Sequence, residues 1–159
     1  MTIFAFEAQK SWLPTVIGMR CTAVEFDEDE ALLTLLFGEV KDGPDGALEA
    51  DRAISMSGVW RIEQHDDILA ASGDLEDPDR DVRLEQLKGA ALARADVSHP
   101  GFDLTLHLDN DVVVRCFPCD SAFSADVAFV DRFSGSPTFT GLNSWIAFSS
   151  DGNHIPLSL

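Results

Sequence analysis

The sequence is poor in cations and has no long apolar run. It holds 11 Lys and Arg residues against 28 Asp and Glu residues, which leaves a formal net charge of −17. Nucleic acids and anionic membrane surfaces are bound through cationic footprints, so this balance argues against both partners. The apolar runs all fall short of the roughly 18 residues that a membrane-spanning helix needs. The composition therefore predicts neither a nucleic-acid partner nor a membrane association.

Cysteine is also scarce, with three residues in a chain of 159. An odd number of cysteines, in a chain long enough to bury a core without disulfides, is typical of a reducing compartment. The first 19 residues lack the basic start of a secretory signal, because Lys10 follows the apolar stretch. We therefore expect a cytoplasmic protein. Its length and even composition predict one domain over residues 1–159.

The clearest local pattern is the alternation of apolar and polar residues between positions 102 and 118. A three-residue loop at 109–111 would place the apolar residues of one strand opposite those of the next, whereas a two-residue loop would mix the two faces. The pattern predicts a hairpin with the pairs Leu104–Cys116, Leu106–Val114 and Leu108–Val112.

Further strand patterns cover residues 20–26, 31–37, 53–63, 68–72, 91–97 and 143–149, and the first two predict a hairpin that turns through 27–29. Residues 81–88 and 124–133 show the spacing of short helices, and residues 38–50 and 134–141 predict loops. The fold class predicted is α+β: a single domain dominated by an antiparallel β-sheet, with one or two short helices.

Acidic residues concentrate in segments 25–30, 39–51 and 66–81. One interpretation is a negative surface that steers a basic protein partner, with Glu28, Asp29 and Glu30 as binding residues. The other is that the charge serves solubility alone.

The third acidic segment places Asp77, Asp79 and Asp81 at alternate positions. Loops rich in carboxylates can hold calcium. The motif departs from the EF-hand pattern, with Val82 in place of the required glycine and Lys88 in place of the bidentate glutamate. The alternative is an acidic loop that runs into the N-terminus of a helix.

The solvent face of the predicted hairpin collects Asp103, Thr105, His107 and Arg115. Such a face can bind a polar ligand or support an enzyme site, or it can simply be a solvated strand face. The sequence contains no nucleophile-elbow, metalloprotease or phosphate-loop motif. A non-catalytic protein without a cofactor is therefore the favoured interpretation.

Cys116 and Cys119 have the C-x-x-C spacing of thiol–disulfide oxidoreductases. Reactive cysteines of that class sit at the N-terminus of a helix, which lowers the thiol pKa. Cys116 instead falls on the core face of a predicted strand, where a cysteine behaves as a small apolar residue.

A strand that ends in Trp60-Arg61 is followed by Ile68-Leu-Ala-Ala-Ser-Gly-Asp74. Downstream stand Leu87-Lys-Gly89, the hairpin motif Pro100-Gly-Phe-Asp-Leu104 and Phe117-Pro118-x-x-Ser121. Together these motifs, over about residues 53–121, resemble a family of small uncharacterised bacterial domains. The resemblance implies the fold and no activity.

The sequence favours a non-catalytic protein-interaction domain. By analogy of size and charge, it suggests an accessory or immunity-like protein that neutralises a basic toxin. The alternative is a ligand-binding or enzymatic domain that uses the polar face around His107 and Arg115. An exposed strand edge would also allow a homodimer.

Overall fold

The computed structural model describes residues 13–43, 46, 48–56, 59–98, 103–117, 139–141 and 145–149, the last two segments by backbone only. The strands are β1 (Cys21–Asp27), β2 (Leu32–Asp42), β3 (Leu48–Met56), β4 (Val59–Gln64), β5 (Asp67–Ala71), β6 (Leu92–Val97), β7 (Leu104–Leu108), β8 (Val112–Phe117), β9 (Phe139–Gly141) and β10 (Trp145–Ser149). Helix α1 (Arg80–Leu84) continues into a 3₁₀ turn over Glu85–Leu87, and another 3₁₀ turn covers Leu13–Thr15.

The strands form two antiparallel sheets. The first has the order β1-β2-β3-β10-β9, and the second has the order β5-β4-β8-β7-β6. Helix α1 packs against β5. This arrangement confirms the predicted α+β class dominated by antiparallel sheet.

The two sheets meet at a corner where the start of β1 lies against the start of β6. Arg20 forms an antiparallel bridge with Ala91. The N–H of Leu92 donates to the carbonyl of Met19 at 2.9 Å, and the N–H of Gly18 donates to the carbonyl of Leu92 at 2.7 Å. Backbone hydrogen bonding thus continues from one sheet into the other.

One hydrophobic core lies between the sheets. The first sheet contributes Leu33, Leu35, Phe37, Ile54 and Met56, and the second contributes Trp60, Ile62, Leu104, Leu106, Leu108, Val112, Val114 and Cys116. A smaller cluster of Leu36, Ala50 and Ala53 lies apart from this core. Strand β2 is therefore covered on both faces.

The hairpin of β7 and β8 has the predicted register. Leu104 pairs with Cys116 and Leu106 pairs with Val114, and the turn occupies residues 109–111. Asp111 has a φ of +65°, a left-handed conformation that aspartate tolerates. In the hairpin of β1 and β2 the prediction of a turn through 27–29 is wrong, because Asp27 pairs with Leu32 and the turn covers 28–31.

Two other boundaries differ from the predictions. Residues 53–63 do not form a single strand, because β3, which ends at Met56, and β4, which begins at Val59, belong to different sheets. The loop predicted over 38–50 is shorter, since β2 runs to Asp42 and β3 starts at Leu48. A shift in register between Phe37 and Val40 lets β2 continue past Gly38.

The helical predictions are met in part. Helix α1 starts one residue before the predicted 81–88 segment and gives way to 3₁₀ geometry after Leu84, and Gly89, with a φ of +82°, follows where the helix was predicted to stop. The predicted helix at 124–133 lies outside the described residues, and Phe139–Gly141 is a strand where a loop was predicted. Within the described segments, no helix has the length and apolar character needed to cross a membrane.

Candidate functional site

The turn between β1 and β2 presents the predicted partner-binding acids. Oδ1 of Asp27 accepts hydrogen bonds from the backbone N–H groups of Asp29 and Glu30, at 3.0 and 3.4 Å. The Asp27 carboxylate thus stabilises the turn, and the side chains of Glu28, Asp29 and Glu30 are left exposed. The three residues therefore stand together at the tip of one hairpin.

Arg80, the first residue of α1, joins this turn to the acidic loop that precedes the helix. Its side chain is buried, with 4% of its surface exposed. Nη2 donates to Oε1 of Glu28 at 2.8 Å, and Nη1 donates to the carbonyls of Asp74 and Leu75, both at 3.1 Å. The guanidinium of Arg80 thus binds both the β1–β2 turn and the loop that precedes α1.

An aromatic pair lies beneath the Arg80 guanidinium. The guanidinium lies over the ring of Phe26 at 4.1 Å from its centre, in cation–π geometry. Phe26 contacts Trp60 edge to face at 5.6 Å, and Nε1 of Trp60 donates to the carbonyl of Ala31 at 3.1 Å. The acidic turn is thereby packed onto the core.

The aspartates predicted to hold a metal are arranged around arginines. Asp77 forms an ion pair with Arg83 and accepts the N–H of Asp79, and both contacts lower the pKa of the Asp77 carboxyl. Asp81 accepts a hydrogen bond from Nε of Arg80 at 3.0 Å. Asp79 is exposed at the start of α1, and its side chain makes no capping hydrogen bond.

No group of three His, Cys, Asp or Glu side chains with the geometry of a metal site occurs among the described residues. The carboxylates of Asp77 and Asp81 instead neutralise Arg83 and Arg80. In this structure the ion pair of Asp77 with Arg83 holds α1 against the loop that precedes it.

The outer face of the second sheet carries the other predicted site. Thr105 lies directly opposite Arg115 on β8, and His107 is the next residue on the same face of β7. Asp103 precedes β7, and its backbone carbonyl accepts the N–H of Ser98 at 2.9 Å. The sheet therefore brings the predicted set together along one hairpin.

The neighbouring strands extend this face with charged residues that the sequence interpretation did not include. Strand β6 adds Arg94 opposite His107 and Asp96 opposite Thr105. Strand β4 adds Arg61 opposite Arg115, and Glu63 one step along. Their alternation within strand patterns was visible in the sequence, but only the order of strands shows that they share a face.

Two groups of ionic contacts cross the polar face. Glu63 lies between Arg61 and Arg115, with Arg115 Nε at 3.1 Å from Oε2. Burial alone would raise the pKa of Glu63, but hydrogen bonds from Arg115 and Arg61 lower it. At the β6 side, Nη2 of Arg94 lies 2.8 Å from Nε2 of His107, and Nε of Arg94 lies 2.8 Å from Oδ2 of Asp96.

The pKa of His107 is lowered by burial and then by the positive charge of Arg94, while Asp96 opposes the effect. A neutral imidazole is therefore favoured beside Arg94. The face offers hydrogen-bonding groups, but the described arginines on it are already bound to carboxylates of the same face.

The cysteine motif is described only at its first residue. Cys116 is fully buried in β8, and Cys119 lies outside the described residues. Cys21 is also buried, and burial raises the pKa of its thiol to about 12. A thiol with such a pKa is protonated at neutral pH and is a poor nucleophile.

Comparisons with models of protein families, with curated proteins and with solved structures found no match. The resemblance of residues 53–121 to a small bacterial domain family therefore stays a prediction.

Proposed function

We propose that this chain is a non-catalytic protein-interaction domain, of accessory or immunity-like role, that binds a basic protein. Its binding site is the acidic surface, which we define as residues 27–30 and 74–81. The observation that supports the proposal is the buried Arg80, which holds these two segments together.

The acidic surface concentrates charge. Its two segments contain nine carboxylates and one arginine, almost half of the net charge of −17. Surfaces of one sign steer an oppositely charged partner and raise its association rate. We place the domain in the cytoplasm, because the buried Cys21 forms no disulfide and free thiols are typical of a reducing compartment.

The structure separates the acids at the tip into two kinds. Glu28 binds Arg80 and so helps hold the surface together. Asp29 and Glu30 are exposed and form no ion pair with another described residue, so their charge is available to a partner. The test should therefore neutralise Asp29 and Glu30 and leave Glu28 in place.

The experiment is capture of a stoichiometric partner from the native lysate at low and high salt, with wild type and two variants. Asp29→Asn/Glu30→Gln removes two charges from the acidic surface. Asp66→Asn/Asp67→Asn removes two charges, one from the turn between β4 and β5 and one from the first residue of β5, and serves as the matched control. We expect a basic partner that is released at high salt, retained by the control and bound more slowly by the first variant. Equal association rates for the two variants would show that the tip of the β1–β2 hairpin is not part of the binding site.

A second candidate function is binding of a small polar ligand on the face that carries Asp103, Thr105, His107 and Arg115. The observation that favours it is the alignment of Thr105 with Arg115 beside the Glu63 carboxylate. A ligand there would have to displace Glu63 from Arg115. Chemical-shift changes at Thr105 and His107 on addition of a small-molecule mixture would support this function, and unchanged shifts would contradict it.

A further inference from the structure

The two edges of the second sheet differ in what covers them. At β5 the outward N–H of Ala71 donates to Oδ2 of Asp74 at 2.9 Å, and the outward carbonyl of Leu69 accepts from Nε of Arg83. The loop before α1 and the helix itself thus satisfy this edge. Such covering prevents a further strand from adding to it.

Among the described residues, the outer edge of β6 is occupied at one end only. Gly18 and Met19 bond Leu92 there, and no other described residue pairs with the outer side of the strand. Ser98 donates to the carbonyl of Asp103 on the β7 side, so by alternation Asp96 and Arg94 also bond β7. The N–H and carbonyl groups of Ala95 and Val97 therefore point outward.

The open stretch, residues 93–97, has its midpoint at Ala95. A second copy that pairs antiparallel along this whole stretch must place Ala95 opposite Ala95 of the other copy. In that register the outward groups of Ala95 exchange both hydrogen bonds with their copies. Pairing beyond Val97 would meet Gly18 and Met19, which fixes the register.

The side chains complement each other in this register. Arg94 falls opposite Asp96 of the second copy, and Asp96 falls opposite its Arg94. Within each copy Nε of Arg94 contacts Oδ2 of Asp96 at 2.8 Å, and both side chains lie on the outer face and are more than half exposed, so pairing would join the two ion pairs into one four-residue network. Opposite charges in directly facing positions stabilise an antiparallel pair, so a twofold axis at Ala95 creates two favourable pairs at once.

The acidic surface of each copy does not oppose this pairing. Four strand spacings separate β6 from the edge at β5 that the acidic loop covers, roughly 19 Å at 4.8 Å per strand. That separation exceeds the screening length of about 8 Å at physiological salt. Pairing through β6 directs the two acidic surfaces away from each other.

We propose that β6 is a homodimer interface, in which two copies of this chain join their second sheets through antiparallel pairing about Ala95. The partner is a second copy rather than a foreign strand, because the sequence of β6 is complementary to itself in the register that the open edge imposes.

The test is sedimentation over a concentration series in moderate salt. Wild type should form a dimer of twice 17.3 kDa. Arg94→Asp and Asp96→Arg should each raise the dissociation constant at least about tenfold, because each puts like charges opposite one another. Mixing the two variants should restore a dimer, since acids on one copy then face arginines on the other. Asp67→Arg on the covered edge is the control for Asp96→Arg, because it makes the same charge change, and it should behave as wild type.

A wild type that is monomeric at every concentration would overturn the proposal. So would a dimer that either variant leaves intact, or a mixture that fails to associate. Circular dichroism checks that the variants fold. If they do not, hydrogen exchange of wild type decides: protection of the Ala95 and Val97 amides should rise with protein concentration, and concentration-independent exchange would contradict the interface.

Discussion

Glu28 and Arg80, 52 residues apart in sequence, are joined by a hydrogen bond of 2.8 Å between Oε1 and Nη2. The glutamate is on the exposed side of this contact and the arginine on the buried side. The acidic surface is therefore a structural unit built around a buried cation, and its stability can be tested apart from its binding.

Replacing Arg80 by methionine should lower the free energy of unfolding by about 2–3 kcal/mol, because the carbonyls of Asp74 and Leu75 lose their donor and the acids lose their cation. Urea denaturation measures the effect. The control is Lys88→Met, which removes an exposed i,i+3 pair with Glu85 and should cost about 0.5 kcal/mol or less. Equal losses in the two variants would show that the buried guanidinium does not hold the surface together.

Gly38→Ala should destabilise the protein more than Gly18→Ala. Both glycines have left-handed φ values, +85° and +87°, so alanine is strained at either position. Only at Gly38 would the added methyl group also lie 2.5 Å from Oδ2 of Asp51, which is held by the N–H of Glu39. We expect Gly38→Ala to cost at least about 1 kcal/mol more in unfolding free energy. Equal urea midpoints would contradict the clash.

His107 should titrate below its ordinary pKa of 6.5 in the folded protein, because burial and the charge of Arg94 disfavour its protonation. The unfolded chain then binds more protons just below pH 6.5, so the contribution of His107 to stability is present above that pH and is lost as the pH falls. Wild type compared with His107→Gln should show this loss in urea denaturation. An NMR titration should find the pKa raised in Arg94→Met and unchanged in Lys88→Met. An Arg94→Met pKa equal to that of wild type would exclude Arg94 as a cause.

Arg83→Met should uncover the edge of β5. It frees the outward carbonyl of Leu69, beside Ile68, which is 63% exposed. An uncovered apolar edge promotes association between sheets, so light scattering on prolonged incubation should rise faster than for wild type. Lys88→Met, which also removes one cation but leaves the edge covered, should aggregate no faster than wild type. Similar scattering from the two variants would mean that Arg83 does not protect this edge.

Local sequence was sufficient where neighbouring residues decide the structure. The pairing of Leu104 with Cys116 follows from alternation and one short loop, and it was predicted residue for residue. Residues 53–63 were misread because the alternation keeps its phase across residues 57–58. Ile54, Met56, Trp60 and Ile62 all face the same core, although they belong to two sheets. Periodicity reports burial and does not report which sheet a strand joins.

Long-range contacts account for the rest. Nothing in the segment around Arg80 shows that it is buried, because its partner Glu28 and the ring of Phe26 lie in a distant hairpin. The same holds for one contact of Glu63, since Arg115 reaches its carboxylate only because β4 and β8 are neighbours, whereas Arg61 lies on the same strand. The sequence shows which positions are charged or polar, but the order of strands in the sheet decides which of these side chains contact one another.

The position of β3 has a consequence for synthesis on the ribosome. One neighbour, β2, comes just before it, whereas the other, β10, pairs Trp145 with Met56 and is made much later. The apolar inner face of β2 and β3 is also exposed until the strands of the second sheet have been made and can cover it. A nascent chain that has reached β3 therefore exposes a sheet edge and an apolar face at once. Completion of the first sheet must follow translation of nearly all the described chain, and chaperone binding during that interval would protect the exposed edge and face.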